Sequence, residues 1–216
     1  MILAEGTTAT TDAALAVMSW AGLAWLRRHT PPSLLRASWL VVLGTFGIAA
    51  LLGSIAHGFP WSDARLDLFW QPLYLSLGVA VAYFVIASIC AAWGDAAARK
   101  VRPALLATAG VFYLLTRMYD GEFLIFVIYQ GAGLLFALGA HAWLARNGRA
   151  GAGWIAAGLA VSLAAGAVQA VDIISLRIVW TFDHNGVYHL IQGVGLGLLL
   201  FGLRPMLGGT DPARLP

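Results

Sequence analysis

Residues 34–57 read LLRASWLVVLGTFGIAALLGSIAH, a run of 24 residues with one charge, Arg36. A helix rises 1.5 Å per residue, so about 20 apolar residues cross the roughly 30 Å hydrocarbon core of a bilayer. This run is long enough to do so. It begins after Thr30-Pro31-Pro32-Ser33 and ends at Gly58-Phe59-Pro60, two clusters of turn residues. The run does not alternate between apolar and polar, which excludes a barrel strand. Hydrocarbon offers no partner to backbone N–H and C=O groups, so the remaining solution is a helix.

The same pattern recurs in both directions from this run. Apolar runs bounded by charges and turn residues fall at about 12–26, 34–57, 67–93, 103–117, 122–144, 151–175 and 185–203. The expectation is a single all-α domain over residues 1–216, a polytopic bundle of seven transmembrane helices. Composition agrees. Of the 216 residues, 60% are apolar and 11% charged, and the mean hydropathy is +0.80. A soluble domain carries about 25% charged residues. Disordered, collagen-like and disulfide-rich chains are excluded, and no basic run interleaved with aromatics suggests nucleic acid. The lone thiol, Cys90, lies inside an apolar run, where a free cysteine is packing. No basic region precedes the first run, so no cleavable leader is expected and the N-terminus is expected to be translocated.

Charge asymmetry orients the bundle. Arg27, Arg28, Arg36, Arg99, Lys100, Arg102, Arg146, Arg149, Arg204 and Arg214 fall on one side, against Arg65, Arg117 and Arg177 on the other. Basic loops stay in the cytoplasm. The N-terminus is therefore expected outside and the C-terminus inside.

That orientation gathers polar residues at the outer ends of the spans. Ser54 and His57 close the second span; Asp67, Gln71 and Tyr74 open the third. Gln169 and Asp172 close the sixth; His184, Asn185, His189 and Gln192 open the seventh. Asn185, His189 and Gln192 stand at i, i+4 and i+7, one helical face, as do Asp67, Gln71 and Tyr74. Polar faces inside a span turn toward the bundle interior. A polar cavity in the outer leaflet follows. Asp12, Glu122 and Asp183, at helix ends, read as solvated caps.

Histidine pairs at one depth suggest metal ligation. Catalytic zinc takes three protein ligands and keeps a position open for water. His57 and His189 supply two; the third comes from His184, Asn185 or a carboxylate. His184 lies about 140° from the face of His189 on a continuous helix and converges only if the helix starts after it. Asp67 or Asp172 could act as base toward a metal-bound water, and Ser54 could donate to a developing oxyanion. Haem between His57 and His189 is a less favoured use of the pair.

A Ser and a His closing helix two, an Asp opening helix three and a His pair opening helix seven, the second preceded by Tyr188, resemble the CREST superfamily, which includes the alkaline ceramidases and the progestin and adiponectin receptors. The resemblance covers the whole chain as architecture. It implies a membrane-embedded zinc hydrolase of a lipid-like amide or ester, with Zn2+ on His57, His184 and His189 and with Asp67 and Ser54 catalytic. This sequence departs from the family in two places. Helix two reads Ser-x-x-His instead of Ser-x-x-x-His, and Asn185 stands where helix seven has its first His. The alternative implied by those departures is a receptor-like relative that binds a lipid in the same cavity without turnover.

Overall fold

Each long apolar run forms a helix, because only an internally hydrogen-bonded backbone is stable among apolar neighbours. The computed structural model describes residues 5–119, 122–171, 175–177 and 180–208. Among these described residues six helices appear: α1 (Gly6–His29), α2 (Leu34–Gly58), α3 (Asp63–Met118), α4 (Glu122–Arg146), α5 (Ala152–Val171) and α6 (His184–Gly208). A minimal antiparallel hairpin, β1 (Leu176–Arg177) with β2 (Thr181–Phe182), connects α5 to α6 and pairs Leu176 with Phe182. Five helices, α2 to α6, are long and apolar enough to cross a membrane.

Local chemistry sets the boundaries. Pro31 and Pro32 cannot continue α1, and the Ser33 side chain caps α2 by accepting the Arg36 N–H at 3.0 Å. Asp183 does the same for α6: its Oδ1 accepts the Gly186 N–H at 2.8 Å and the Thr8 hydroxyl at 3.1 Å.

At 56 residues, α3 is roughly 84 Å long if straight, far more than one bilayer. It is not straight. Gly94 has φ 85° and ψ 174°, a conformation that strains any residue with a Cβ, and the helix turns there. Residues 63–93 and 95–118 run back along each other. Arg117 meets Asp67 at 3.3 Å, and Phe112 packs against Tyr74 and Gly78.

The expected third and fourth runs are therefore these two arms. Residues 95–102, expected as a loop, are helical. Their polar face carries Asp95 and Arg99, an i, i+4 pair at 3.9 Å. Other boundaries differ too. Helix α1 begins at Gly6, because its threonines bond back to carbonyls of the preceding turn instead of ending the helix. Helix α6 continues past 203 to Gly208, through Pro205.

The helices pack in a closed circuit, α1–α2–α3–α4–α5–α6–α1. Trp39, Leu43, Ile86, Ile155, Leu159 and Leu203 are buried inside it, and Trp39 meets Phe84 edge-on with ring centroids 4.8 Å apart. Apolar side chains also cover the outside: Val17, Leu124, Ile128, Leu135 and Val194 are exposed. Water does not tolerate such a surface, and lipid does. In lipid, close backbone packing holds helices together better than apolar transfer does. Helices α5 and α6 show this. A Cβ on Gly158 would lie 2.6 Å from the Gly195 carbonyl oxygen, and one on Gly195 would lie 2.6 Å from Ser162 Oγ.

Candidate functional site

A cavity of about 540 Å³ sits where α2, α5 and the first arm of α3 meet the starts of α1 and α6. Its polar wall comes from Asp12 on α1, His57 on α2, Tyr74 on α3, Gln169 on α5, and His184, Asn185 and His189 on α6. Leu15, Phe46, Ala50, Leu77 and Phe126 form apolar walls.

Two acid–imidazole pairs organise the polar end. Glu5, just ahead of α1, is tied to His57 twice. Its backbone N–H donates to the His57 carbonyl oxygen at 3.0 Å, and its carboxylate lies 2.7 Å from His57 Nδ1. The indole of Trp70 meets the His57 ring edge-on at 5.3 Å. This fixes the ring plane and turns Nε2 away from the carboxylate.

The second pair lies deeper. His189 Nε2 is 3.3 Å from Asp12 Oδ1, and both side chains are over nine-tenths buried. On the other ring edge, His189 Nδ1 is 3.1 Å from Thr11 Oγ1. The Thr11 hydroxyl has one proton and two carbonyls, of Thr7 and Thr8, at 2.9 Å. With that proton on a carbonyl, the oxygen accepts from Nδ1–H. One proton or one ion pair then bridges Nε2 and Asp12. Asp12 also presses on α2: a Cβ on Gly53 would lie 2.8 Å from Asp12 Oδ2. Glycine there makes room for a carboxylate inside the bundle.

The residues singled out in the sequence fall into three groups. His57, Tyr74, Gln169, His184, Asn185 and His189 converge on the cavity, and Gln169 Nε2 donates to Asn185 Oδ1 at 3.3 Å. His184 is the first residue of α6 and still lines the cavity, although a late helix start was the condition for its convergence. Gln192, one turn below His189, is buried against a narrower slot beneath the cavity.

Asp67, Gln71 and Ser54 are not in the cavity wall. Gln71 Nε2 donates to Asp67 Oδ1 at 2.9 Å, and Arg117 holds the other oxygen, on the outside of α3. Asp67 lies two turns, about 10 Å, above Tyr74 along the helix and finds its partner on the neighbouring arm. Ser54 is half-buried on α2. Asp172 lies outside the described residues.

By sequence Asp12 has the position of a solvated cap, and Glu5 is not marked at all. The signal for Asp12 was present: Thr8, Asp12 and Ser19 share one face of α1, and all three are buried. Glu5 carried no such signal, since its partner is 52 residues away and pairs with it only in the fold.

The donor set can be tested against zinc. A carboxylate behind His57 is the arrangement that orients a ligating imidazole. Both ring nitrogens of His189 face protein partners. Among the described residues no three His, Cys, Asp or Glu side chains gather as a metal-holding group. Of His57 and His189, only His57 keeps a ring nitrogen turned away from its acid partner and from a second protein partner.

The chain belongs to DUF6962, a family of unknown function, whose profile matches residues 7–207. No curated protein and no solved structure matches it.

Proposed function

We propose that this chain is a seven-span membrane protein that binds a lipid-like amphiphile in its cavity. The seven spans are α1, α2, the two arms of α3, α4, α5 and α6, with the N-terminus outside. The arginines at the ends of α1 and α4 and in the bend of α3 support that orientation.

The observation that carries the reading is the composition of the cavity along its length. Two acid–imidazole pairs and two amides lie at one end. Toward the middle of the bundle the wall becomes Phe46, Leu77 and Phe126, and the cavity continues into an apolar slot. A ligand complementary to both has a head that donates and accepts hydrogen bonds and a hydrocarbon tail. Intramembrane ionisable groups are costly to bury and are kept for such work.

Titrating glyceryl monostearate into the protein in lipid nanodiscs tests this reading. Binding is expected to saturate at one equivalent. Ala50→Trp, which fills the cavity, weakens it at least tenfold; Ile128→Trp, on the exposed face of α4, leaves it unchanged. Uptake that never saturates, or that ignores Ala50→Trp, refutes the reading.

Zinc-dependent hydrolysis of a lipid-like amide or ester in the same cavity is the second reading. Glu5 behind His57 favours it, because that contact leaves Nε2 for a metal. His189 completes a ligand set only by releasing Asp12. On this reading one zinc per chain copurifies, and the His57→Ala/His189→Ala variant loses it. Equal metal content in both proteins rules the reading out.

A further inference from the structure

The polar end of the cavity is also rich in aromatic rings. Trp70, Tyr74, Phe123, Phe126 and Tyr188 all line it. Centroid to centroid, Trp70 and Tyr74 stand 6.3 Å apart, Tyr74 and Phe126 6.4 Å, and Phe123 and Phe126 6.5 Å.

Contacts between helices set the depth of this collar. The Trp70 ring on α3 meets the His57 ring on α2 at 5.3 Å. These two helices run in opposite directions, so four residues inward along each, about 6 Å, bring Tyr74 and Gly53 to a common level. Gly53 is the residue against Asp12 Oδ2. Asp12 in turn meets His189, whose ring stands 4.8 Å from that of Tyr188. Tyr74, Phe126 and Tyr188 therefore lie level with Asp12, and Trp70 lies one turn above.

Charge at this level is one-sided. Among the described residues that line the cavity, Asp12 is an acid and none is lysine or arginine. Arg117 is taken up by Asp67 on the outside of α3. The contact of Asp12 with His189 is made through Oδ1, and Oδ2 has no hydrogen bond among the described residues. A carboxylate inside a membrane bundle is costly to bury without a counter-charge. Aromatic rings attract a cation held within about 6 Å of their centroids, and at the spacings above one cation reaches two rings at once.

We propose that the head bound at this end of the cavity is positively charged, an ammonium group held between the aromatic collar and Asp12. An anionic head would meet a carboxylate there and no basic side chain. An uncharged head would gain nothing from the negative faces of the rings. This inference rests on the amphiphile reading of the cavity above and adds the charge of the head.

Two probes of one shape decide it: octadecyl(dihydroxypropyl)dimethylammonium and its uncharged isostere, with carbon in place of the nitrogen. Each is titrated into the full chain in galactolipid nanodiscs, which contain no ammonium or phosphate of their own, with empty nanodiscs as the reference. The ammonium probe is expected to bind about tenfold more tightly, the worth of one desolvated cation–π contact. The ratio falls below about threefold in Asp12→Asn, which removes the charge, and in Tyr74→Leu/Phe126→Leu, which removes two rings and keeps apolar bulk. If one variant does not fold, the other carries the test. A ratio near one in the wild type, or a ratio that survives in either folded variant, overturns the cationic head and leaves the amphiphile reading standing. Binding of neither probe, nor of glyceryl monostearate, overturns both.

Discussion

Gly53→Ala adds one methyl group where the structure has no room for it. The new Cβ would sit 2.8 Å from Asp12 Oδ2 and 3.2 Å from its Cγ. Asp12 cannot move freely, because its other oxygen is held at 3.3 Å from His189 Nε2. Crowding of this kind costs about 1–3 kcal/mol. Gly53 also lies inside α2, where alanine is better than glycine by about 0.5–1 kcal/mol. The net effect in the wild type is destabilisation by up to about 2 kcal/mol.

The sign reverses when the carboxylate is absent. Asp12→Ala alone leaves His189 buried without its acid partner and costs about 1–3 kcal/mol. In that background the three atoms nearest the Gly53→Ala methyl are gone, and the substitution is expected to show the helix gain, about 0.5–1 kcal/mol of stabilisation. The coupling between the two positions is therefore about 1–3 kcal/mol. Unfolding of all four proteins in mixed micelles, titrated with sodium dodecyl sulfate, measures it. If Gly53→Ala stabilises the wild type, or destabilises it equally with and without Asp12, then Asp12 does not pack into the bundle against α2.

Other expectations are quickly checked. Asp183→Ala removes the α6 cap and the Thr8 contact, so thermal unfolding in detergent should show a loss of about 1–2 kcal/mol, largely restored by Asp183→Asn. Glu5→Ala should cost no more than about 1 kcal/mol in the same assay, since Glu5 is half exposed and its pair with His57 is screened. Gly195→Val should overpack α5 against α6 by about 1–3 kcal/mol, whereas Gly139→Ala, with nothing within 4 Å, should be neutral or stabilising by up to about 1 kcal/mol. For topology, single cysteines placed at Asp63 or Asn147 in a Cys90→Ala background should react with a membrane-impermeant maleimide from opposite sides of sealed vesicles. Labelling of both from one side contradicts the seven-span arrangement.

Much of the bundle was legible because lipid simplifies the problem. A long apolar run without a partner for its backbone can only be a helix, so α2, α4, α5 and α6 follow from their sequences to within a few residues at most ends. The bend in α3 was legible as a break at Gly94-Asp95, but not as continuous helix on its far side. Nothing local distinguishes a solvated amphipathic turn from a loop when Arg99, Lys100 and Arg102 are both polar and good helix formers. Helical spacing brought His57, Tyr74, Gln169, Asn185 and His189 to a common end, and these residues do line one cavity.

Spacing does not reveal depth or partner. Asp67 shares a face with Tyr74 but stands two turns higher, where Arg117 captures it in an exposed pair. Asp12 resembles a cap by position and is buried because Gly53, on another helix, leaves space for it. Glu5 pairs with His57 through a contact that exists only once α1 and α2 have docked.

Photocrosslinking tests the central claim most directly. A glyceryl monoester with a diazirine in mid-chain is bound to the nanodisc-embedded protein, irradiated, and the adducts mapped by peptide mass spectrometry. The account predicts adducts on the inner wall, at Phe46, Leu77 and Tyr188, which excess unlabelled glyceryl monostearate abolishes. Adducts confined to Leu124, Ile128 and Val194 on the outer faces, unchanged by competitor, would contradict it.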